Sequence, residues 1–466
     1  MKNNREQWGS RLGFILAASG SAVGLGNIWK YPHMAGQNGG AAFTIVYLIC
    51  ILIVGLPVLL GELAIGRNTQ LSPVGAFKKL SNSSHWKWVG FLGVSSAFVI
   101  LSFYGVVGGW TLRYTFFSLF GGFDALSGNS DSSAKIFSLF VSNDINPIFW
   151  LVLFMSLCMF IIIKGVKSGI EQAAKIMMPI IIVILILLVI KGLSLEGGKK
   201  GLEFLFMPKF SDLTPSSIVM ALGHAFFTLS LGMGTMITYG SYLGKNQNLI
   251  SSALWVIILD TIIAMLAGTA IFTIVFAMGA DPSSGPGLIF EVLPTIFPQI
   301  GGGVIWGTLF FFILFMAALT SAVSILEVIT AYFIDQKGWT RERATLSFGI
   351  LITIVGMFCS LSMGSFNDFK IIFNISFMDF LDELSSKYML PIGGALTSLF
   401  ILSKWSVKTF LEEILVGVQT QKFDKGLLLN FLKVLLIVSS FIVGLIILNE
   451  LFELLLGSSL QKIAGF

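Results

Sequence analysis

Charge is scarce in this chain. Of 466 residues, 24 are acidic and 29 basic, and charged residues make up 11%. A soluble globular domain carries about 25%. Histidine and cysteine are scarcer, at three each. Cys50, Cys158 and Cys359 lie singly inside apolar runs, so they give neither a disulfide framework nor a metal site and read as small buried hydrophobes. The sequence holds no clustered His/Cys ligands, no phosphate loop and no nucleophile triad, which argues against an enzyme. A net charge of +5 is too small for a polyanion-binding footprint on a chain this long, and no nucleic-acid partner is expected. What fills the sequence instead is apolar: 55% hydrophobic residues and a mean hydropathy of +0.89. The apolar runs are continuous over about 20 residues, the length of a membrane-crossing helix, and do not alternate as a transmembrane β-barrel does. A polytopic all-α membrane protein in a lipid bilayer is the implied class.

Eleven runs are expected to span: 11–34, 41–66, 88–122, 146–164, 168–191, 216–242, 248–278, 301–334, 344–363, 376–403 and 428–456. The first contains Gly20, Gly24 and Gly26 and has no Ala-x-Ala cleavage pattern, so it is read as a span and not as a signal peptide. Lysine and arginine crowd the segments 67–87, 337–343 and 404–425, which puts the N-terminus in the cytoplasm and the C-terminus outside. The loop 191–216, with four lysines, runs against that rule. The segment 279–300 has Asp-Pro and Gly-Pro-Gly turn signals and an apolar stretch too short to span, read as a hairpin or short helix over the outer mouth. Asp379, Asp382, Glu383 and Lys387 crowd the first half of the tenth span, as in a helix half lining a wet vestibule.

Two spans carry chain breakers at mid-depth. One reads Gly20-Ser21-Ala22-Val23-Gly24-Leu25-Gly26-Asn27 and the other Thr228-Leu229-Ser230-Leu231-Gly232-Met233-Gly234. Unwinding there frees carbonyls for a cation and N–H groups for a carboxylate. The two spans are the first and the sixth, which are equivalent positions if spans 1–5 and 6–10 are inverted repeats. Matched breaks of this kind point to a midplane binding site in secondary transporters.

Long motifs then bring in a family. They are Trp8, Gly-Asn-Ile-Trp-Lys-Tyr-Pro at 26–32, Asn-Gly-Gly-Ala-Ala-Phe at 38–43, Gly-Leu-Pro at 55–57, Gly61-Glu62 and Gly66-Arg67. Further on come Lys-Ser-Gly-Ile-Glu-Gln-Ala-Ala-Lys-Ile-Met-Met-Pro at 167–179, Phe-Phe-Thr-Leu-Ser-Leu-Gly at 226–232, Ile-Thr-Tyr-Gly-Ser-Tyr at 237–242 and Leu-Thr-Ser at 319–321. Over roughly 5–456 the chain resembles the bacterial branch of the neurotransmitter:sodium symporter family. The resemblance implies a LeuT-like fold: a 5+5 inverted repeat with broken helices 1 and 6, plus an eleventh helix. The chain then divides into an N-terminal segment with the inner gate (1–10), a first repeat (11–191), an extracellular loop (192–215), a second repeat (216–403), a cytoplasmic loop (404–427), and the last span with an external C-terminus (428–466). It also implies a multi-pass protein of the bacterial inner membrane that imports amino acids or amines by alternating access on a sodium gradient.

Carried over residue by residue, the family's two sodium sites fall on Ala22, Asn27, Thr228 and Asp260 for the first, and on Gly20, Val23, Ala317, Thr320 and Ser321 for the second. Well-known members carry Asn where this chain has Asp260, and chloride-dependent relatives carry Ser where it has Ala264, although Tyr47 of the halide site is retained. Chloride-independent transport is expected, with Asp260 supplying the negative charge. An α-carboxylate would meet the N–H groups of Leu25 and Gly26 and the Tyr104 hydroxyl. An ammonium would meet carbonyls of Ala22, Phe227 and Thr228 and the Ser230 hydroxyl. A side-chain pocket would be lined by Ser21, Ile100, Tyr104, Phe227, Met233, Ser321 and Ile325. Amine-selective members place Asp where this chain has Gly24. The expected substrate is therefore a hydrophobic, above all aromatic, L-amino acid. A sodium-coupled carrier of an osmolyte or amine is the alternative, and an ion channel or membrane enzyme is the alternative from another class. The outer gate falls on Lys30 and Asp382, with Glu383 as second candidate and Lys30 in a place where Arg is common. The inner gate falls on Arg5, Trp8, Tyr242, Glu327 and Asp335. Glu62 is expected to brace the unwound sixth span, and Gly169 with Pro179 to soften the fifth.

Overall fold

The computed structural model describes residues 5–81, 85–126, 130–282, 287–370, 375–418 and 424–456. The extreme ends of the first and last segments of the division above, 1–4 and 457–466, lie outside the described residues. Eight helices are long and apolar enough to cross a membrane: Ala41–Thr69, Lys87–Leu119, Asn146–Ile163, Val166–Ser194, Leu249–Ala277, Gly303–Lys337, Arg341–Leu361 and Lys425–Glu450. A ninth, Phe377–Trp405, continues past a 104° bend into Val407–Ile414. Two broken helices complete eleven spans: Arg11–Ala22 with Gly26–Gln37, bent by 49°, and Pro215–Thr228 with Thr235–Gly240. No strand occurs among the described residues.

The ends of the broken helices are encoded locally. Ser10 accepts the Gly13 N–H at 3.0 Å and caps the first half-helix, one orphan donor satisfied in place of water. The sixth span starts on a Thr214–Ser217 capping box with Pro215 in the first turn, where a missing N–H costs nothing. It stops at Thr228, and the chain crosses 229–234 with Ser230, Gly232 and Gly234 at φ 53, 80 and 76. At Gly232 a Cβ would overlap the Leu390 carbonyl, so glycine is required by both the positive φ and the neighbour. Irregular backbone at membrane depth survives only inside protein, and both breaks are buried.

The enclosure comes from spans 3 and 8, of 33 and 35 residues. In the eighth, 89% of the apolar window is buried, against 28% in the eleventh, so the eighth is an interior wall and the eleventh is lipid-facing. Exposed Ile176, Val183 and Ile190 recur at seven-residue spacing and give the fifth span one lipid face. After Trp405 the chain turns at Ser406, φ 76, into the helix Val407–Ile414. That helix is pinned by fully buried Arg67, which donates to Glu413 Oε1 at 2.7 Å and also to the Glu413 carbonyl.

Two connecting segments hold more structure than their composition suggests, and a third, 279–300, holds the short helix expected of it. Ser130–Val141 and Lys199–Phe206 are helices; the second packs on span 7, with Gly201 against the Phe272 backbone. In 279–300 the short helices Leu288–Val292 and Leu293–Ile296 set Phe290 among Trp29, Trp110, Tyr114, Phe137 and Phe311.

Candidate functional site

The two breaks meet at the centre of the molecule and are tied together by short hydroxyl side chains. Ser230 donates to the Ser21 carbonyl at 2.9 Å, and Ser321 of span 8 donates to the same carbonyl at 3.0 Å. Ser21 Oγ lies 3.2 Å from Ser230 Oγ and 2.7 Å from Ser324 Oγ. The Leu25 N–H, at the start of the second half-helix, donates to Tyr104 Oη at 3.2 Å. Glu62 Oε1 accepts the Gly232 N–H at 2.8 Å, which satisfies a donor left by the unwound sixth span.

Beside the breaks lies an acidic cluster-point. Asp260 is fully buried. Asn27 Nδ2 donates to its Oδ1 at 2.8 Å, Thr228 Oγ1 to the same oxygen at 3.0 Å, and Tyr47 Oη to Oδ2 at 3.3 Å. Thr228 Oγ1 also reaches Asn27 Oδ1 at 3.1 Å. Asp260 forms no ion pair among the described residues. His224 packs against Tyr47 and Tyr31, ring centroids 5.0 and 6.3 Å away, and neither ring nitrogen has a hydrogen-bond partner among the described residues.

On the opposite side of the first break, Thr320 Oγ1 lies 3.5 Å from the Val23 carbonyl and 2.9 Å from the Ala317 carbonyl. Ser321 Oγ lies 3.4 Å from the Gly20 carbonyl. This set holds neutral oxygens only, the donor chemistry of a hard monovalent cation. Of the expected pocket residues, Ala22, Ile100, Tyr104, Met233 and Ile325 are all buried. Ile100 stands one turn from Tyr104, and Ile325 one turn from Ser321. Gly24 leaves no room for a side chain, since a Cβ there would overlap Ser321 Oγ and Tyr104 Oη.

The expected gate residues make direct contacts on both sides of this centre. At one end Lys30 Nζ donates to Asp382 Oδ1 at 3.1 Å and sits 4.2 Å from the centroid of the Phe227 ring. The pair is direct even though lysine lacks the fork of arginine. Glu383 turns away to Lys387, 3.4 Å. Above Phe227 and Tyr104 lies a cavity of about 390 Å³ lined by Val107, Asp379, Asp382, Glu383 and Lys387, among others. At the other end Arg5 Nη1 donates to both Asp335 carboxylate oxygens at 2.6 and 2.7 Å, and Arg5 Nη2 donates to Ser241 Oγ at 2.6 Å. The two side chains are 11% and 5% exposed, which makes this a largely buried pair. Trp8 Nε1 donates to the Tyr239 carbonyl at 3.0 Å, and Tyr242 Oη donates to Glu327 Oε1 at 2.5 Å.

Several residues of these clusters escaped the sequence reading. Ser324 lies one turn beyond Ser321, and that i+3 spacing was the available signal. Arg341 pairs with Glu327 at 2.7 Å, yet in the sequence it is one of several loop cations. Glu171 accepts the Gly9 N–H at 2.6 Å and the Ser10 hydroxyl at 2.9 Å, and Glu6 accepts the Val166 N–H at 2.6 Å. Together they lash the N-terminal segment to the start of span 5, where Gly169 lies in a wide turn and the helix then runs unbroken through Pro179.

The family model described as the sodium:neurotransmitter symporter family matches residues 5–126 and 141–453. The chain belongs to that family. The "Uncharacterized sodium-dependent transporter YhdH" of Bacillus subtilis (strain 168) is 42% identical over 414 residues, covering 88% of this chain and 90% of its own. An "Uncharacterized sodium-dependent transporter" of Haemophilus influenzae is 33% identical over 457 residues, covering 95% and 97%. Among solved structures, the crystal structure of MhsT in complex with L-phenylalanine superposes with a TM-score of 0.86 at 45% identity, covering 95% of this chain and all of that one. This member of the symporter family is therefore a multi-pass, sodium-dependent membrane transporter and not an enzyme. Its fold is the LeuT-like one, with two repeats of five spans, breaks in spans 1 and 6, and an added eleventh span.

Proposed function

We propose that this chain is a secondary active symporter for hydrophobic, above all aromatic, L-amino acids, coupled to two sodium ions and independent of chloride. The observation that carries the reading is Asp260, a fully buried carboxylate held by three neutral donors. A buried charge without a counter-charge costs several kcal/mol. A sodium ion bound by Asp260, Asn27, Thr228 and the Ala22 carbonyl supplies the counter-charge, and a halide beside it is then superfluous. Ala264, one turn further along span 7, offers no hydroxyl to a halide. The neutral oxygens of Gly20, Val23, Ala317, Thr320 and Ser321 suit a second, more weakly held sodium.

The substrate follows from the groups between the ions. N–H groups at the start of a half-helix and the Tyr104 hydroxyl suit a carboxylate. Carbonyls at the end of the half-helix Pro215–Thr228, with Ser230 Oγ, suit an ammonium. An amine-selective carboxylate has no space at Gly24. The rest of the lining is apolar, and Met233, between two glycines of positive φ, can repack around a large ring. The 45% identical MhsT, crystallised with L-phenylalanine, supports the same class.

Transport proceeds by alternating access. Bound solute and sodium draw Phe227 and Tyr104 over the site, and the Lys30–Asp382 latch closes above them. Loss of the second sodium releases the Arg5–Asp335 and Trp8 contacts and opens the other side. The orientation proposed places the Arg5 end in the cytoplasm and the Lys30 end outside a bacterial inner membrane, with the last span leading outward. Tritiated tryptophan binding, competed by each of the twenty amino acids in sodium gluconate and in sodium chloride, tests this. Sodium-dependent binding displaced best by aromatic residues, equal in the two salts, is expected. Binding that needs chloride, or that no amino acid displaces, refutes it.

A further inference from the structure

A cavity of about 800 Å³ lies outside the transport pathway, between the end of span 3 and the start of span 4, lined by Arg113, Phe116, Phe117, Asn143, Phe149 and Trp150, with Phe120, Ile145 and Asn146 at its rim. Arg113 sets its chemistry. The guanidinium lies on aromatic faces, 3.9 Å from the Phe140 centroid, 5.0 Å from that of Phe117 and 5.3 Å from that of Tyr114. The rings attract the charge, and of the three only Tyr114, through its hydroxyl, can accept a hydrogen bond from the five N–H groups. Among the described residues its buried Nη1 has no hydrogen-bond partner, and Arg113 forms no ion pair. Asp144, beside Asn143, is engaged elsewhere, accepting the Ser365 N–H at 3.0 Å. Asn143 and Asn146 use their carbonyl oxygens on the Ile145 N–H and on Trp150 Nε1, which leaves amide donors at the rim.

Depth identifies the missing acceptor. Span 3 has 33 residues, about 50 Å of helix against a hydrocarbon core of about 30 Å, so each end overhangs by about 10 Å. Arg113 stands six residues before Leu119, about 9 Å from the helix end, at the boundary of hydrocarbon and headgroups. On the membrane side of the cavity Phe120 is 81% exposed, Ile145 79% and Phe149 59%. A water-borne anion would leave those faces bare, whereas acyl chains cover them.

We propose that this cavity is a binding site for an anionic phospholipid of the leaflet on the Lys30 side. The phosphate takes the Arg113 fork in bidentate fashion, the rim amides reach the headgroup, and the acyl chains run along Phe116 and Phe149. Nothing in the site offers a carboxylate to a choline, so a net negative headgroup is favoured over a zwitterionic one.

Native mass spectrometry of the full chain, released from micelles doped with phosphatidylglycerol, phosphatidylcholine or diacylglycerol, reads the site directly. Retained phosphatidylglycerol is expected, with little retention of the other two and no displacement by inorganic phosphate. Arg113→Gln lowers retention about tenfold, the scale of one lost charge-assisted fork, while Arg113→Lys keeps part of it. Asn146→Asp, an exposed change that leaves the fold intact, supplies an internal acceptor and lowers retention as well. Equal retention of phosphatidylglycerol by the parent chain, Arg113→Gln and Asn146→Asp overturns the proposal. So does displacement by inorganic phosphate, which would make the site a soluble-anion site.

Discussion

Replacing Asp260 by Asn removes a charge and little else. The amide keeps an oxygen that can accept from Asn27 and Thr228, which now donate at 2.8 and 3.0 Å, and gives up only the longer contact from Tyr47 at 3.3 Å. The lost quantity is the attraction between a carboxylate and a cation beside it. At about 4 Å and an effective dielectric of about 20 that attraction is about 4 kcal/mol. Sodium affinity is therefore expected to fall by about 10²- to 10³-fold. A sodium titration of tritiated tryptophan binding in gluconate measures it. Thermal unfolding separates this effect from damage to the fold. Sodium at 100 times its dissociation constant stabilises the native state by about 2.7 kcal/mol, and a hundredfold weaker site leaves about 0.4 kcal/mol. In sodium-free buffer the variant should be no less stable than the parent, because the uncompensated buried charge is gone. Unchanged sodium affinity in Asp260→Asn would sink the assignment of this carboxylate to a sodium site.

Three further perturbations follow from other contacts. Met233→Phe fills the space that a large side chain needs, so tryptophan and tyrosine uptake should weaken several-fold more than leucine uptake; equal loss for all three, in a competition series, contradicts the pocket lining. Lys30→Gln removes an ion pair whose side chains are 22% and 38% exposed, worth about 0–1 kcal/mol, and a ring contact of about 0.5–1 kcal/mol. A cysteine introduced by Val107→Cys in a chain lacking Cys50, Cys158 and Cys359 should then be modified a few-fold faster by a membrane-impermeant thiol reagent, and an unchanged rate means the latch does not gate the vestibule. Glu171→Gln weakens the bonds from Gly9 and Ser10, each about 1.5–3 kcal/mol when made to a charged acceptor. Protease cleavage near the N-terminus should accelerate about tenfold or more, and no acceleration would show the clasp to be idle.

What the sequence discloses here is set by how local the signal is. The spans follow from apolar run length, and the eleven expected runs coincide with the helices to within a few residues. The breaks within 20–27 and 228–234 are legible because Gly/Ser-rich stretches fall at matched positions in spans 1 and 6, whereas either alone would read as a close-packing seam. The contact of Gly24 with Ser321 and Tyr104 could be reached only through the family's motifs, since it depends on partners about 80 and about 300 residues away in sequence. The helices Ser130–Val141 and Lys199–Phe206 are too short and too polar to register by hydropathy, and they are held by packing on spans already formed. The clasp from Glu171 to Gly9 and the Arg341–Glu327 pair join distant segments through single charges. In a sequence such charges look like ordinary loop residues, and only the fold singles them out. Arg113 belongs to the same class: one cation among the 29 basic residues, distinguished by the acceptor it lacks.

The most direct test of the account is uptake of labelled tryptophan into proteoliposomes under an inward sodium gradient, with gluconate as the only major anion. Accumulation above the equilibrium level, abolished when an ionophore dissipates the sodium gradient, is the predicted result. Equilibration without concentration, or a sodium current that flows with no amino acid present, contradicts it.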